Sequence, residues 1–90
     1  MNINDLAIKY ENFKKSRLKH SDIQITDNKE IVLDGCCRVL EYNENHIKLE
    51  LPSIGISIVG IRLKMRNFSI GGVIIKGDIH SITFVPKEEL

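Results

Sequence analysis

Tryptophan is absent from this 90-residue chain, aromatic residues make up only 6% of it, and there are just two cysteines and two prolines. A sheet that binds single-stranded nucleic acid stacks bases on aromatic rings interleaved with its basic residues, and the strand face of Arg62, Lys64 and Arg66 has none of its own. The cysteines, Cys36 and Cys37, are adjacent. Neighbours on a strand point to opposite faces, so a disulfide between them would need a distorted backbone, and no nearby histidine completes a zinc set. A reduced, intracellular protein is expected. Long apolar runs are also missing, which excludes a membrane-spanning helix. The stretch from Met1 to Ser21 is interrupted by Asp5, Lys9, Glu11, Lys14 and Lys15, so it cannot supply the apolar core of a signal peptide. The sequon Asn67-Phe68-Ser69 would then never meet a glycosylation route. Charged residues amount to 28% with a formal net charge of +1. That balance makes no global case for nucleic acid or a membrane surface, although local clusters and peripheral membrane contact stay open.

Catalytic and metal-binding constellations are equally scarce. His20, His46 and His80 fall on different segments with no ligand spacing, so no metal is expected. Glu41, Glu44 and Glu50 occupy the polar positions of alternating strands, and nothing in the sequence marks a paired acid and base. Gly55, Gly60, Gly71, Gly72 and Gly77 precede no helix and so form no phosphate loop. No cofactor and no small-molecule substrate is expected, and an enzyme has no positive feature in its favour.

What is present reads as one domain over 1–90, with an N-terminal helix at 4–19, a β domain at 22–85 and a polar tail at 86–90. Leu6, Tyr10 and Phe13 recur at helical spacing, with Lys14, Lys15, Arg17 and Lys19 near the helix end, where positive charge suits the macrodipole. Ile23 and Ile25 alternate in a first strand, and Asp27-Asn28-Lys29 makes a turn. Asn43-Glu44-Asn45 is a second turn, leading to His46–Leu51, whose alternation puts Ile47, Leu49 and Leu51 on one face. Pro52-Ser53 breaks the ladder, since proline has no amide proton to donate.

A pattern of apolar strand residues ending in glycine occurs three times, at Ile31–Gly35, Ile56–Gly60 and Val73–Gly77. Each glycine can open a two-residue hairpin turn, which pairs 30–34 with 37–42 and 73–76 with 79–85. With Gly60-Ile61 as central turn residues, Ile58 lies opposite Leu63 and Ile56 opposite Met65. A continuous strand bent at Gly60, as in a β-arc or solenoid corner, is the alternative. The expected fold is mainly β, with six to seven short strands in a hairpin meander, sandwich or small barrel-like, and one N-terminal amphipathic α-helix.

Arg62, Lys64 and Arg66 alternate on one strand face. Together with the apolar stripe Leu6, Tyr10 and Phe13 they form the candidate interaction surface. A solvated edge or an acidic protein partner accounts for the basic row better than nucleic acid does. A domain this small, with apolar residues on both faces of its last strands, gains from a protein partner or from self-association.

Three blocks, taken in order, carry a family pattern. They are Tyr42-Asn43-Glu44-Asn45-His46-Ile47-Lys48-Leu49, then Gly55-Ile56-Ser57-Ile58-Val59-Gly60 followed by Leu63, and finally Val73–Phe84 with Gly77-Asp78 inside it. In this order and spacing the chain resembles the YabP/YqfC family of sporulation proteins from endospore-forming bacteria over about two-thirds of its length. Ile61-Arg62 departs from the acidic or amide residue that the family commonly places after the equivalent of Gly60, and the segment before Ser21 lies outside the resemblance. The resemblance implies a non-enzymatic protein made in the mother-cell cytoplasm during spore formation, and it brings no catalytic or ligand-binding residues with it.

Overall fold

The computed structural model describes residues 21–35 and 38–90. The expected helix at 4–19, with Leu6, Tyr10 and Phe13, lies outside them. Six strands follow in chain order: β1 (Asp22–Thr26), β2 (Glu30–Asp34), β3 (Arg38–Tyr42), β4 (His46–Glu50), β5 (Gly55–Ser69) and β6 (Gly72–Val85). All pairings are antiparallel in a single sheet of order β1-β2-β6-β5-β4-β3. The sheet is open, with β1 and β3 at its edges, rather than a barrel.

Two of the strands are long. β5 has 15 residues and β6 has 14, and they form a single hairpin around Ile70-Gly71. Gly71 carries φ +74° at the second turn position, a conformation open to glycine without steric cost. The meander of short strands is corrected here, and with it the hairpins at Gly60 and Gly77, because both glycines lie inside continuous strands. Ile58 pairs with Ile47 and Ile82, and Met65 with Ile75, in place of the expected Ile58–Leu63 and Ile56–Met65 pairs. Nor does Gly35 hinge a hairpin: β2 pairs with β1 and β6, while β3 pairs with β4.

Two of the register slips in the long hairpin fall close together near its middle, and bulges of this kind bend a strand pair. The pairing jumps between Ile61 and Lys64, and again between Val59 and Gly60. At the first slip Arg62 adopts φ +55°, and Arg62 and Leu63 together oppose Gly77. At the second, His80 is the unpaired extra residue, between Ile79 opposite Gly60 and Ser81 opposite Val59. An extra residue reverses the inside-outside alternation. Ile56, Ile58, Leu63 and Met65 can therefore all contribute to the core despite their change of parity, as can Val73, Ile75, Ile79 and Ile82.

Two hairpins of matching build flank the bend. Each has a five-residue strand, a three-residue turn and another five-residue strand, β1–β2 on one side and β3–β4 on the other. Ile31 and Leu33 of β2, and Ile47 and Leu49 of β4, are fully buried. Where β2 stops, its turn continues the ladder along β6, the Gly77 and Ile79 amides donating to the Lys29 and Asn28 carbonyls at 3.1 and 2.8 Å. Where β4 stops, the Gly60 and Leu63 amides donate to Asn45 and Glu44 at 3.0 and 2.9 Å. The Met65 amide then reaches the Tyr42 hydroxyl at 3.2 Å. The turn segments Asp27–Lys29 and Asn43–Asn45, legible in the sequence, thus satisfy backbone groups that the bend would leave unpaired.

Residues of both hairpins and of both long strands share one hydrophobic cluster, to which Leu51 belongs as expected. Burying each isoleucine or leucine contributes about 1.5–3 kcal/mol of transfer free energy. The polar tail is less idle than its composition suggests: after a 3-10 turn at Lys87–Glu89, Leu90 lies over Gly55, where a Cβ would meet its Cδ2 at 2.5 Å.

Candidate functional site

Four cationic side chains converge at the bend. Lys29 comes from the β1–β2 turn, Arg62 and Lys64 from β5, and Lys76 from β6, and with Gly77 and Asp78 they line a depression of about 370 Å³. Pairing places them together, since Lys64 lies directly opposite Lys76 and Lys76 opposite Glu30. The bulge turns Arg62 towards Asp78.

Asp78 organises the floor. One carboxylate oxygen accepts from the Lys29 ammonium, and the other accepts from Arg62 Nη2 at 2.6 Å. The hydrogen bond from Lys29, then that from Arg62, lowers its carboxyl from 3.8 to about 2. Lys76 Nζ stands 3.7 Å from Glu30 Oε2, a loose and solvated pair. Lys64 enters no ion pair with a described residue. The four cations outnumber Asp78 and Glu30, so the depression is net positive. Ile61, in register with Asp78, leaves 43% of its surface exposed. An arrangement of this kind can receive carboxylate or other anionic groups next to an apolar contact.

The expected basic row is therefore divided. Arg62 and Lys64 join the depression, whereas Arg66 lies further along β5 opposite Ile74 and does not line it. Lys29, Lys76 and Asp78 escaped the sequence reading, because the observed β5–β6 register brings Lys76 and Asp78 to Arg62 and the β2–β6 pairing adds Lys29. The one local signal was the charge on either side of glycine in Lys76-Gly77-Asp78.

A second polar group lies beyond the depression, on β3, β4 and β5. Glu41 Oε2 is 2.8 Å from His46 Nδ1, and His46 Nε2 is 2.7 Å from Ser57 Oγ. Sequence reading left these residues separate, since Glu41 reaches His46 across a hairpin and Ser57 lies on the far side of β4. Among the described residues no group of three or more histidine, cysteine or acidic side chains is placed to hold a metal. No helix among them is long and apolar enough to cross a membrane.

A model of the YabP family matches residues 17–90, which takes in every described strand. No curated protein and no solved structure matches the chain.

Proposed function

Because the chain belongs to the YabP family, we propose that it serves spore formation as a non-enzymatic interaction protein in the mother-cell cytoplasm, docking an acidic segment of a protein partner in the depression at the bend. The observation that carries this reading is the convergence of Lys29, Arg62, Lys64 and Lys76 from three separate segments around one buttressing carboxylate. Asp78 fixes two of the cations in place and leaves Lys64 available. Ile61, opposite Asp78 in the sheet and partly exposed, offers apolar contact beside the charges, the mixture that an acidic peptide with an apolar residue would use. Self-association through the sheet edges is compatible with the same role. Nucleic acid is the weaker reading, because the basic side chains are split between two places and no aromatic platform accompanies them.

The test is capture from sporulating cells with the wild-type protein and with the double variant Lys64→Glu/Lys76→Glu. A partner retained by the wild type and lost by a variant of unchanged circular dichroism supports the reading. A variant that keeps every partner rejects it.

A further inference from the structure

We propose that Ser57 is an acyl-accepting nucleophile, activated by His46 and Glu41 on the face of the central strand β5. Three observations carry the proposal. Glu41 Oε2 accepts from His46 Nδ1 at 2.8 Å, which selects the tautomer with the proton on Nδ1. His46 Nε2, left with its lone pair, lies 2.7 Å from Ser57 Oγ and accepts its proton. The side chains of His46 and Glu41 are 31% and 47% exposed, so an incoming acyl group can reach the relay from solvent.

The backbone holds this geometry in place. Ser57 is paired on both sides, with Lys48 of β4 and Thr83 of β6, while His46 pairs with Val59 on the same strand. The imidazole therefore starts two residues along from the position opposite Ser57, on the neighbouring strand and the same face, and reaches it diagonally. Glu41 approaches from β3, where the slip between Val39 and Glu41 sets it opposite Lys48. Serine, imidazole and carboxylate in this sequence are the arrangement by which a general base activates a hydroxyl and a third group orients the base.

The reaction is the transfer of an acyl group from an activated ester or thioester. Ser57 Oγ attacks the carbonyl carbon, and the new Oγ–C bond forms as the hydroxyl proton passes to His46 Nε2. The bond to the leaving alkoxide or thiolate then breaks, and that group takes the proton from His46. The product is O-acyl-Ser57 with a free alcohol or thiol. Lys48, on the same face and directly opposite Ser57, supplies positive charge for the developing oxyanion. The Ser57 amide belongs to the sheet ladder and is not presented as an oxyanion donor. The step assigned to Ser57 is this single acylation, which makes it a site of covalent modification with no turnover assigned. It is separate from the depression at the bend, and either reading can fail without the other.

The experiment treats the full chain with p-nitrophenyl acetate at neutral pH and maps acetylated peptides by mass spectrometry, which separates Ser57 from lysines and cysteines. One acetyl on Ser57 is expected, absent in Ser57→Ala. In His46→Ala the rate at Ser57 should fall by roughly 10²-fold and recover in part with added imidazole. If His46→Ala does not fold, Glu41→Gln, which keeps the hydrogen bond without the charge, should give a smaller loss, and Glu41→Asp should restore part of it. Acetylation of lysines or cysteines with none on Ser57 overturns the proposal. So does an unchanged Ser57 rate in the folded variants.

Discussion

Gly60 and Asp78 approach so closely that a Cβ on Gly60 would lie 2.2 Å from the Asp78 carbonyl oxygen. The clash is with backbone on the neighbouring long strand, and no rotamer change relieves it. Gly60→Ala should therefore force β5 and β6 apart at the bend and destabilise the protein by about 2 kcal/mol or more. Gly77→Ala should be at least as damaging. There φ is +147° and the added Cβ would meet the Arg62 carbonyl oxygen at 2.7 Å. Urea denaturation of both variants measures this, and a loss within about 0.5 kcal/mol, the range of ordinary surface substitutions, would show that the bend does not depend on close approach.

Asp78 gives the bend a dependence on acid. Its folded carboxyl, held at about 2 by Lys29 and Arg62, lies below its ordinary value of 3.8. A depressed carboxylate adds stability that is present above the unfolded pKa and is lost as pH falls through the folded one. Thermal stability should accordingly decline between about pH 4 and pH 2, and Asp78→Asn should flatten that part of the curve. The same substitution removes a negative charge from the depression, so it should tighten binding of an acidic peptide at neutral pH as long as the fold holds. An unaltered acid limb in Asp78→Asn would contradict the clamp.

The two flanking hairpins should respond alike to matched substitutions. Ile31 and Ile47 occupy the same position in each and are both fully buried. Truncating either to alanine removes buried surface and leaves a cavity, at a cost of about 2–5 kcal/mol. Ile25, on the edge strand β1, is 54% exposed, and its truncation should cost well under that. Denaturation midpoints for the three variants decide the matter. A mild effect at Ile47 alone would mean that the β3–β4 hairpin is peripheral to the fold.

Edge strand β3 exposes Val39, Leu40 and Tyr42, at 43%, 38% and 49%. No described strand lies outside β3, and an edge strand with apolar side chains of this kind favours strand addition. Self-association should therefore rise with concentration, and Leu40→Lys should reduce it. Light scattering that reports a strict monomer for the wild type at high concentration would count decisively against association at this edge.

Local signals in the sequence carried the short elements, and long-range pairing carried what they missed. Asp27-Asn28-Lys29 and Asn43-Glu44-Asn45 read as turns, and Ile47, Leu49 and Leu51 as one buried face, because turn residues and alternation act over a few positions. Gly60 and Gly77 misled, because a glycine at a hairpin and a glycine at a bend leave the same trace: apolar alternation on both sides. The two cases differ in partner. Ile58 finds Ile47 and Ile82 instead of Leu63, and that choice depends on β4 and β6, far away in the chain. The residues of the depression were hidden for the same reason, since Lys29 and Asp78 are 49 positions apart. The departure at Ile61-Arg62 from the family pattern falls on the bulge itself, where Arg62 takes its positive φ.

Binding to oligonucleotides separates the proposed partner from the weaker reading. A protein that holds nucleic acid through lysine and arginine releases counterions from the phosphates, so its affinity falls steeply with added salt. The depression has the charge for weak contact of this kind, but Lys29 and Arg62 are already engaged by Asp78, and Arg66 lies away from it. Phe68 and Phe84, though exposed, do not line the depression and offer it no stacking surface. Fluorescence anisotropy with mixed DNA and RNA oligonucleotides across a salt series should therefore show only weak binding that vanishes near physiological salt, while a glutamate-rich peptide binds more tightly under the same conditions. Lys64→Ser should weaken the peptide, because Lys64 is the cation in the depression that no described carboxylate engages. Sub-micromolar oligonucleotide binding at physiological salt, lost when Arg62, Lys64 and Arg66 are all changed to serine, would reverse the assignment and make the sheet face a nucleic-acid surface.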